Sequence, residues 1–163
     1  MNDFSLSLRL LLLLGVANGA PLAAKRLLNG RWSAPLDVGW RFIDGRPLLG
    51  SSKTVRGLVS AVVGAALAAA LLGFPAGLGA TVGAFAMLGD VLSSFVKRRL
   101  GVTPSGQAMG IDQIPEALLP LLVIRAPLAL PWLQIAEITL AFFVLEIVLS
   151  RLLFWIGLRD RPY

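Results

Sequence analysis

Five apolar runs, at about residues 4–24, 57–74, 76–96, 114–130 and 133–157, organise the chain. Each is long enough to read as a helix in a bilayer. Pro75 and Gly77 mark a tight turn between the second and third runs, and Pro131-Trp132 another between the last two. Trp132 has the amphipathic ring that favours a membrane interface. The remaining connections, residues 25–56 and 97–113, are longer and polar. Small residues recur every fourth position at Ser60, Gly64 and Ala68 and again at Gly79 and Gly83, a spacing that lets helices approach closely. Such faces allow packing within one chain or between two, so a homodimer is an allowed arrangement. Three prolines, Pro115, Pro120 and Pro127, limit the regularity of the fourth run. Ala17-Asn18-Gly19 resembles a cleavage site, but Lys25 and Arg26 follow the first run directly, which is the wrong flank for an exported leader. The first run therefore reads as a retained span, with Asn18 expected to hydrogen-bond between helices.

Composition sharpens this to an all-α, polytopic integral membrane protein with a single membrane domain over residues 1–163. The chain is 56% hydrophobic with a mean hydropathy of +0.79, outside the range of ordinary soluble domains. It has no cysteine and no histidine, which excludes thiol chemistry, a disulfide framework and imidazole as base or ligand. The net charge of +6 comes from cations placed between the apolar runs, a pattern of membrane topology and phosphate binding and not of nucleic-acid recognition. Seven cations lie in 25–56, three in 97–99 and three in 151–161, against only Arg9 and Arg125 at the other side. The bias predicts an outside N-terminus, a cytoplasmic C-terminus and two cytoplasmic loops in a cell membrane.

Chemistry concentrates where the third run meets the second loop. Asp90 sits inside an apolar span, where a carboxylate is costly and by default functional. Asp90, Ser94 and Lys97 are spaced i, i+4, i+7 and share one helical stripe, expected to point down the last turns toward water. Carboxylates beside cations at a membrane surface suit a metal-bound, phosphate-bearing substrate. The first loop adds Ile43-Asp44-Gly45-Arg46 and Gly50-Ser51-Ser52-Lys53-Thr54-Val55-Arg56-Gly57, in which glycines let backbone N–H groups approach phosphates and Arg46, Lys53 and Arg56 supply charge. The glycine spacing is not that of a P-loop. Arg125 and Glu137, equally far from the turn at Pro131, are expected to form a structural ion pair. Glu146 lies mid-span without an assigned role.

The motif Gly89-Asp90-x-x-x-Ser94-x-x-Lys97-Arg98, followed by Asp112, resembles the signature of membrane CTP-dependent phosphatidate cytidylyltransferases. Ala17-Asn18-Gly19-Ala20-Pro21, Asp44-Gly45-Arg46 and Leu49-Gly50-Ser51-Ser52-Lys53-Thr54-x-Arg56-Gly57 narrow the resemblance to the CDP-archaeol synthase family, along nearly the whole chain. The resemblance implies transfer of CMP from CTP to a membrane lipid phosphate with Mg²⁺, releasing pyrophosphate. It implies catalytic roles for Asp90, Lys97 and Asp112. It implies substrate contacts for Asp44, Arg46, Ser52, Lys53, Thr54, Arg56, Ser94, Arg98 and Gln113. Asp90 and Asp112 correspond to the family's acidic, metal-holding positions. The family pattern usually continues with an aspartate three residues after Asp112. Here that position is Pro115, so either Glu116 serves as the further metal ligand or the site has one fewer carboxylate. Two other classes fit parts of the pattern, a small transporter or channel and a non-catalytic membrane scaffold. The clustering of charge toward one face favours an interfacial enzyme.

Overall fold

The computed structural model describes residues 3–29, 31–103 and 110–157; positions 104–109 of the second loop and the tail 158–163 lie outside the described residues. Five helices follow in order: α1 Asp3–Leu27, α2 Val55–Leu71, α3 Ala76–Arg99, α4 Gln113–Leu128 and α5 Trp132–Trp155. Three of them, α1, α3 and α5, are each long and apolar enough to cross a membrane unaided. Of the other two, α2 has 17 residues and α4 has 16, so each rises only about 25 Å, less than a typical hydrocarbon core. These two begin at the polar end of the bundle, where the loops extend their reach.

Small residues set the packing. Ala61, Ala65 and Ala69 of α2 are fully buried against Gly79 and Gly83 of α3. A Cβ on Gly79 would stand 2.3 Å from the Ala65 carbonyl oxygen, and one on Gly83 would stand 2.6 Å from that of Ala61. Gly79 and Gly83 therefore meet the alanine face of α2 within one chain, while Gly64, from the Ser60, Gly64 and Ala68 face, lies against Ala20 of α1, where an added Cβ would be 3.0 Å away. On the other side of α3, Gly89 lies against the start of α4, where an added Cβ would be 2.3 Å from the Pro115 carbonyl oxygen. Leu10, Leu13, Leu14 and Ala17 of α1 complete the core with Leu121 and Ile124 of α4 and Ile135, Ile138 and Phe142 of α5. The Gln134 amide of α5 donates to Ser7 Oγ at 2.9 Å and so ties the far ends of α5 and α1. Asn18 donates to the Leu14 carbonyl of its own helix at 3.0 Å, not to a neighbour. At the α4–α5 turn, the Arg125 guanidinium stacks on Trp132, 4.1 Å from the ring centre. This cation–π contact replaces the expected pairing with Glu137, because the indole lies directly over the turn. The outward faces of α2 (Val59, Val63, Leu67) and α5 (Leu140, Val144, Val148) remain exposed, as expected for lipid-facing surface.

The first loop is ordered by one buried carboxylate. Asp37 accepts N–H bonds from Gly39 at 3.0 Å, Leu49 at 2.9 Å and Gly50 at 3.0 Å, so it gathers both arms of the loop. Burial pushes this carboxyl up, but the bonds from Gly50, Leu49 and Gly39 outweigh it and hold the group below its ordinary value of 3.8. The charged form therefore stabilises the loop at neutral pH, and that contribution is lost as pH falls through the lowered value. Asp37→Asn would turn an amide N–H₂ toward donors that need an acceptor. It is expected to destabilise the protein by about 1–3 kcal/mol at pH 7. Thermal unfolding in detergent should show the full gap at neutral pH, and the gap should close below pH 3.8.

Candidate active site

The functional side chains converge at the end of the bundle where α3 terminates, α2 and α4 begin, and the first loop folds over. The loop is clamped to α3 by a set of contacts around Arg99. Its guanidinium donates to Asp44 Oδ1 at 2.7 Å and to the Pro47 carbonyl at 2.6 Å. It also lies over the rings of Phe42 (4.7 Å) and Phe95 (5.0 Å). Arg46 donates in turn to the carbonyl oxygens of Arg98 (3.3 Å) and Arg99 (2.5 Å), which satisfies acceptors that a helix C-terminus leaves open. Asp44 and Arg46, expected to contact substrate, are thus engaged in holding the loop. Thr54 is also engaged: it is the N-cap of α2, its hydroxyl accepting from the Gly57 N–H at 3.1 Å. Arg56 is buried in the first turn of α2 and donates through Nη1 to the Arg31 carbonyl at 2.9 Å. Ser52 is exposed on the loop just before it.

With the loop seated, Lys53 reaches α3 and forms an ion pair with Asp90 Oδ1. About 10 Å further along the same helix, Lys97 pairs with Asp112 Oδ1 at 2.6 Å. The stripe Asp90, Ser94 and Lys97 holds as a helical face, but it does not point to open water. Ser94 and Lys97 are buried, as is Arg98, and the stripe lies beneath the loop and beside α4. Gln113 is buried at the start of α4, its side-chain oxygen accepting from the Gly110 N–H at 2.9 Å and so fixing the loop's return.

The acidic residues divide into two groups. Glu116 is buried beside Asp90, with Glu146 of α5 and Lys53 close by. Asp112 stays with Lys97, near Arg98. The three expected metal ligands Asp90, Asp112 and Glu116 therefore do not meet at one centre. Among the described residues no group of three carboxylates could hold a single ion. The cause is geometric: Gly89 seats the first turn of α4 against α3, which brings Glu116 to Asp90. Asp112, at the N-cap of α4, falls opposite the later turn that carries Lys97. Arg98 is only 3% exposed, yet its Nε and Nη1 have no hydrogen-bond partner among the described residues. Buried donors in this state favour an anion. Two participants carried no sequence signal strong enough to single out: Asp37, whose partners are distant backbone groups, and Arg99, one of three adjacent cations. Glu146 stands out in the sequence as a mid-span carboxylate, but only packing brings it to Glu116.

A family model described as CarS-like, CDP-archaeol synthase, matches residues 8–163. The chain belongs to the CDP-archaeol synthase family. It is 32% identical over 155 residues to a CDP-archaeol synthase of Thermofilum pendens, covering 91% of this chain and 76% of that one. It is 34% identical to a CDP-archaeol synthase of Saccharolobus islandicus, covering 87% and 86%. Its fold matches a solved structure of an intramembrane enzyme for archaeal membrane lipid biosynthesis, with a TM-score of 0.74 and 28% identity, covering 87% of this chain and 90% of that one. Membership makes the chain an enzyme, a membrane cytidylyltransferase by class.

Proposed function

We propose that this CDP-archaeol synthase family member transfers CMP from CTP to the phosphate of a membrane-embedded diether lipid, giving the CDP-activated lipid and pyrophosphate. The single observation that best supports this reading is the half-buried column of charge formed by Lys53–Asp90 and Lys97–Asp112, beside which the Arg98 Nε and Nη1 have no hydrogen-bond partner among the described residues. A phosphate oxygen of the lipid attacks the α-phosphorus of CTP, a new P–O bond forms, and the bond to the β-phosphate bridging oxygen breaks. The nucleophile is already an anion, so the absence of histidine costs nothing. What the protein supplies is alignment and charge neutralisation. Lys53, Lys97 and Arg98 are placed to hold the phosphates of the two substrates, and Arg56 adds charge at the α2 N-terminus. Ser94, buried between the two ion pairs on α3, lines the same column.

The donor chemistry fits Mg²⁺, which takes oxygen ligands and commonly uses one or two carboxylates together with substrate phosphates. Asp90 and Glu116, in mutual contact, would hold it, and Asp112 would act from the Lys97 side. When bound, the ion would supply charge stabilisation at the reacting phosphates. The polar end of the bundle would face the cytoplasm, where CTP is found, with the N-terminus outside. Purified protein given labelled CTP and Mg²⁺ should convert the unsaturated archaeal diether phosphate to its CDP derivative, in preference to diacyl phosphatidic acid and a polyprenyl phosphate. Absence of a CDP-lipid from every member of that panel would overturn the reading. Solute flux into proteoliposomes without nucleotide would favour a transporter in its place.

A further inference from the structure

The tip of the first loop turns its largest apolar side chains away from the protein. Ile43 is 96% exposed, Val38 81%, Trp32 78% and Trp40 72%. The loop's backbone is satisfied internally: Leu48 N–H donates to the Trp40 carbonyl at 2.8 Å, Phe42 N–H to Arg46 at 2.9 Å and Gly45 N–H to Phe42 at 2.9 Å. This tip is therefore a folded element, and its apolar side chains are displayed by a fixed backbone. Two of them are displayed at a cost, since Trp32 and Val38 both adopt the left-handed region, with φ of 54° and 48°. That region disfavours bulky and β-branched residues. No core contact repays the strain, because both side chains point outward.

Charge and position identify what covers this surface. Arg31 and Arg41 are exposed among the apolar residues, and Lys25 is exposed at the end of α1 where the loop starts. The clamp of Arg99 on Asp44 and Pro47 fixes the tip at the same end of the bundle. There α5 also presents Trp155, 84% exposed, and Ile156, 65% exposed. Aromatic and aliphatic side chains interleaved with cations at the end of membrane-spanning helices match the interfacial zone of a bilayer, with its apolar chains below and phosphates above. We infer that the loop tip around Trp40 and Ile43 inserts into the headgroup region of the adjoining leaflet and is held there by Arg31 and Arg41 on anionic lipid. The loop that carries Lys53 is thereby fixed at the depth of lipid phosphates. This inference stands apart from the reaction assigned above, since it concerns where the loop sits and not what the site does.

The chain contains no cysteine, so a single reporter can be introduced cleanly. Ile43→Cys and Val38→Cys, each carrying a nitroxide, would be placed in phosphatidylcholine bilayers with and without phosphatidylglycerol. The expected result is that both labels are relaxed more strongly by oxygen than by an aqueous nickel chelate. The bias should increase when phosphatidylglycerol is present, and Arg41→Gln should reduce that increase. Two outcomes would overturn the inference. One is stronger relaxation by the chelate in both bilayers, which places the tip in water. The other is spin–spin broadening that disappears when labelled protein is diluted with unlabelled protein, which means that a second copy covers the tip. Using two separate positions guards against one label disturbing the fold, and circular dichroism checks each variant before reconstitution.

Discussion

Asp90→Asn is expected to lower kcat/KM for CDP-lipid formation on the order of 100-fold or more, with little change in the thermal midpoint. The asymmetry comes from the surroundings of Asp90. Its carboxylate is in contact with Lys53 and with Glu116, and Lys53 is itself close to Glu116. When the charge at position 90 is removed, Glu116 loses a like-charged neighbour and can take over beside Lys53, so the fold keeps a partner for the lysine. The chemistry loses the charge that would balance a cation bound beside the substrate phosphates. Kinetics of the purified variant with CTP and diether phosphate, set beside its melting curve, separate the two effects. A folded Asp90→Asn variant with near-normal turnover would remove Asp90 from the catalytic set and weaken the metal reading with it.

Gly89→Ala should do the reverse and act through the fold first. The new methyl would have to occupy space 2.3 Å from the Pro115 carbonyl oxygen and 2.8 Å from the Glu116 nitrogen. Both obstacles are backbone, so α3 and α4 must separate by about 1 Å or more before ordinary contact is restored. Overpacking of this kind costs roughly 1–3 kcal/mol, and more where backbone must move. Separation also carries Glu116 away from Asp90, so activity falls together with stability. Gly15→Ala and Gly77→Ala, where nothing lies within 4 Å, serve as controls and should be tolerated. Detergent-solubilised yield and thermal midpoint measure the effect. A Gly89→Ala protein as stable as these controls would mean that the α3–α4 approach is looser than described.

The hydrophobic pattern made the five helices legible because a bilayer tolerates few alternatives to an apolar helix. Asp90 stood out for the same reason, as a carboxylate in a run that should hold none. The pairing of the charges was hidden. Lys53 meets Asp90 across 37 residues of chain, at the end of a first loop that Asp37 folds and Arg99 clamps to α3. A charged glycine-rich loop suits substrate contact and loop anchoring alike, and the sequence points to Asp44 and Arg46 as substrate contacts. The structure shows their anchoring role, Arg46 on the carbonyls at the end of α3 and Asp44 on Arg99. Thr54 could have been read as an N-cap, since it immediately precedes an apolar helical run. Asp112 and Glu116 are only four residues apart, yet they face different partners because Gly89 fixes which turn of α3 each one meets.

Lys53 and Lys97 are each paired with an aspartate. A phosphate that draws Lys53 away leaves Asp90 without its counterion, and a cation settled on Asp90 leaves Lys53 with Glu116 alone beside it. Each of these losses is offset most directly by the other ligand. Under the proposed reading, nucleotide and cation are therefore tied by one reciprocal coupling free energy. The factor by which the first tightens the second must equal the factor by which the second tightens the first. The half-loaded forms are the unfavourable ones, so the pair of bridges behaves as a two-key lock that resists opening to either ligand alone.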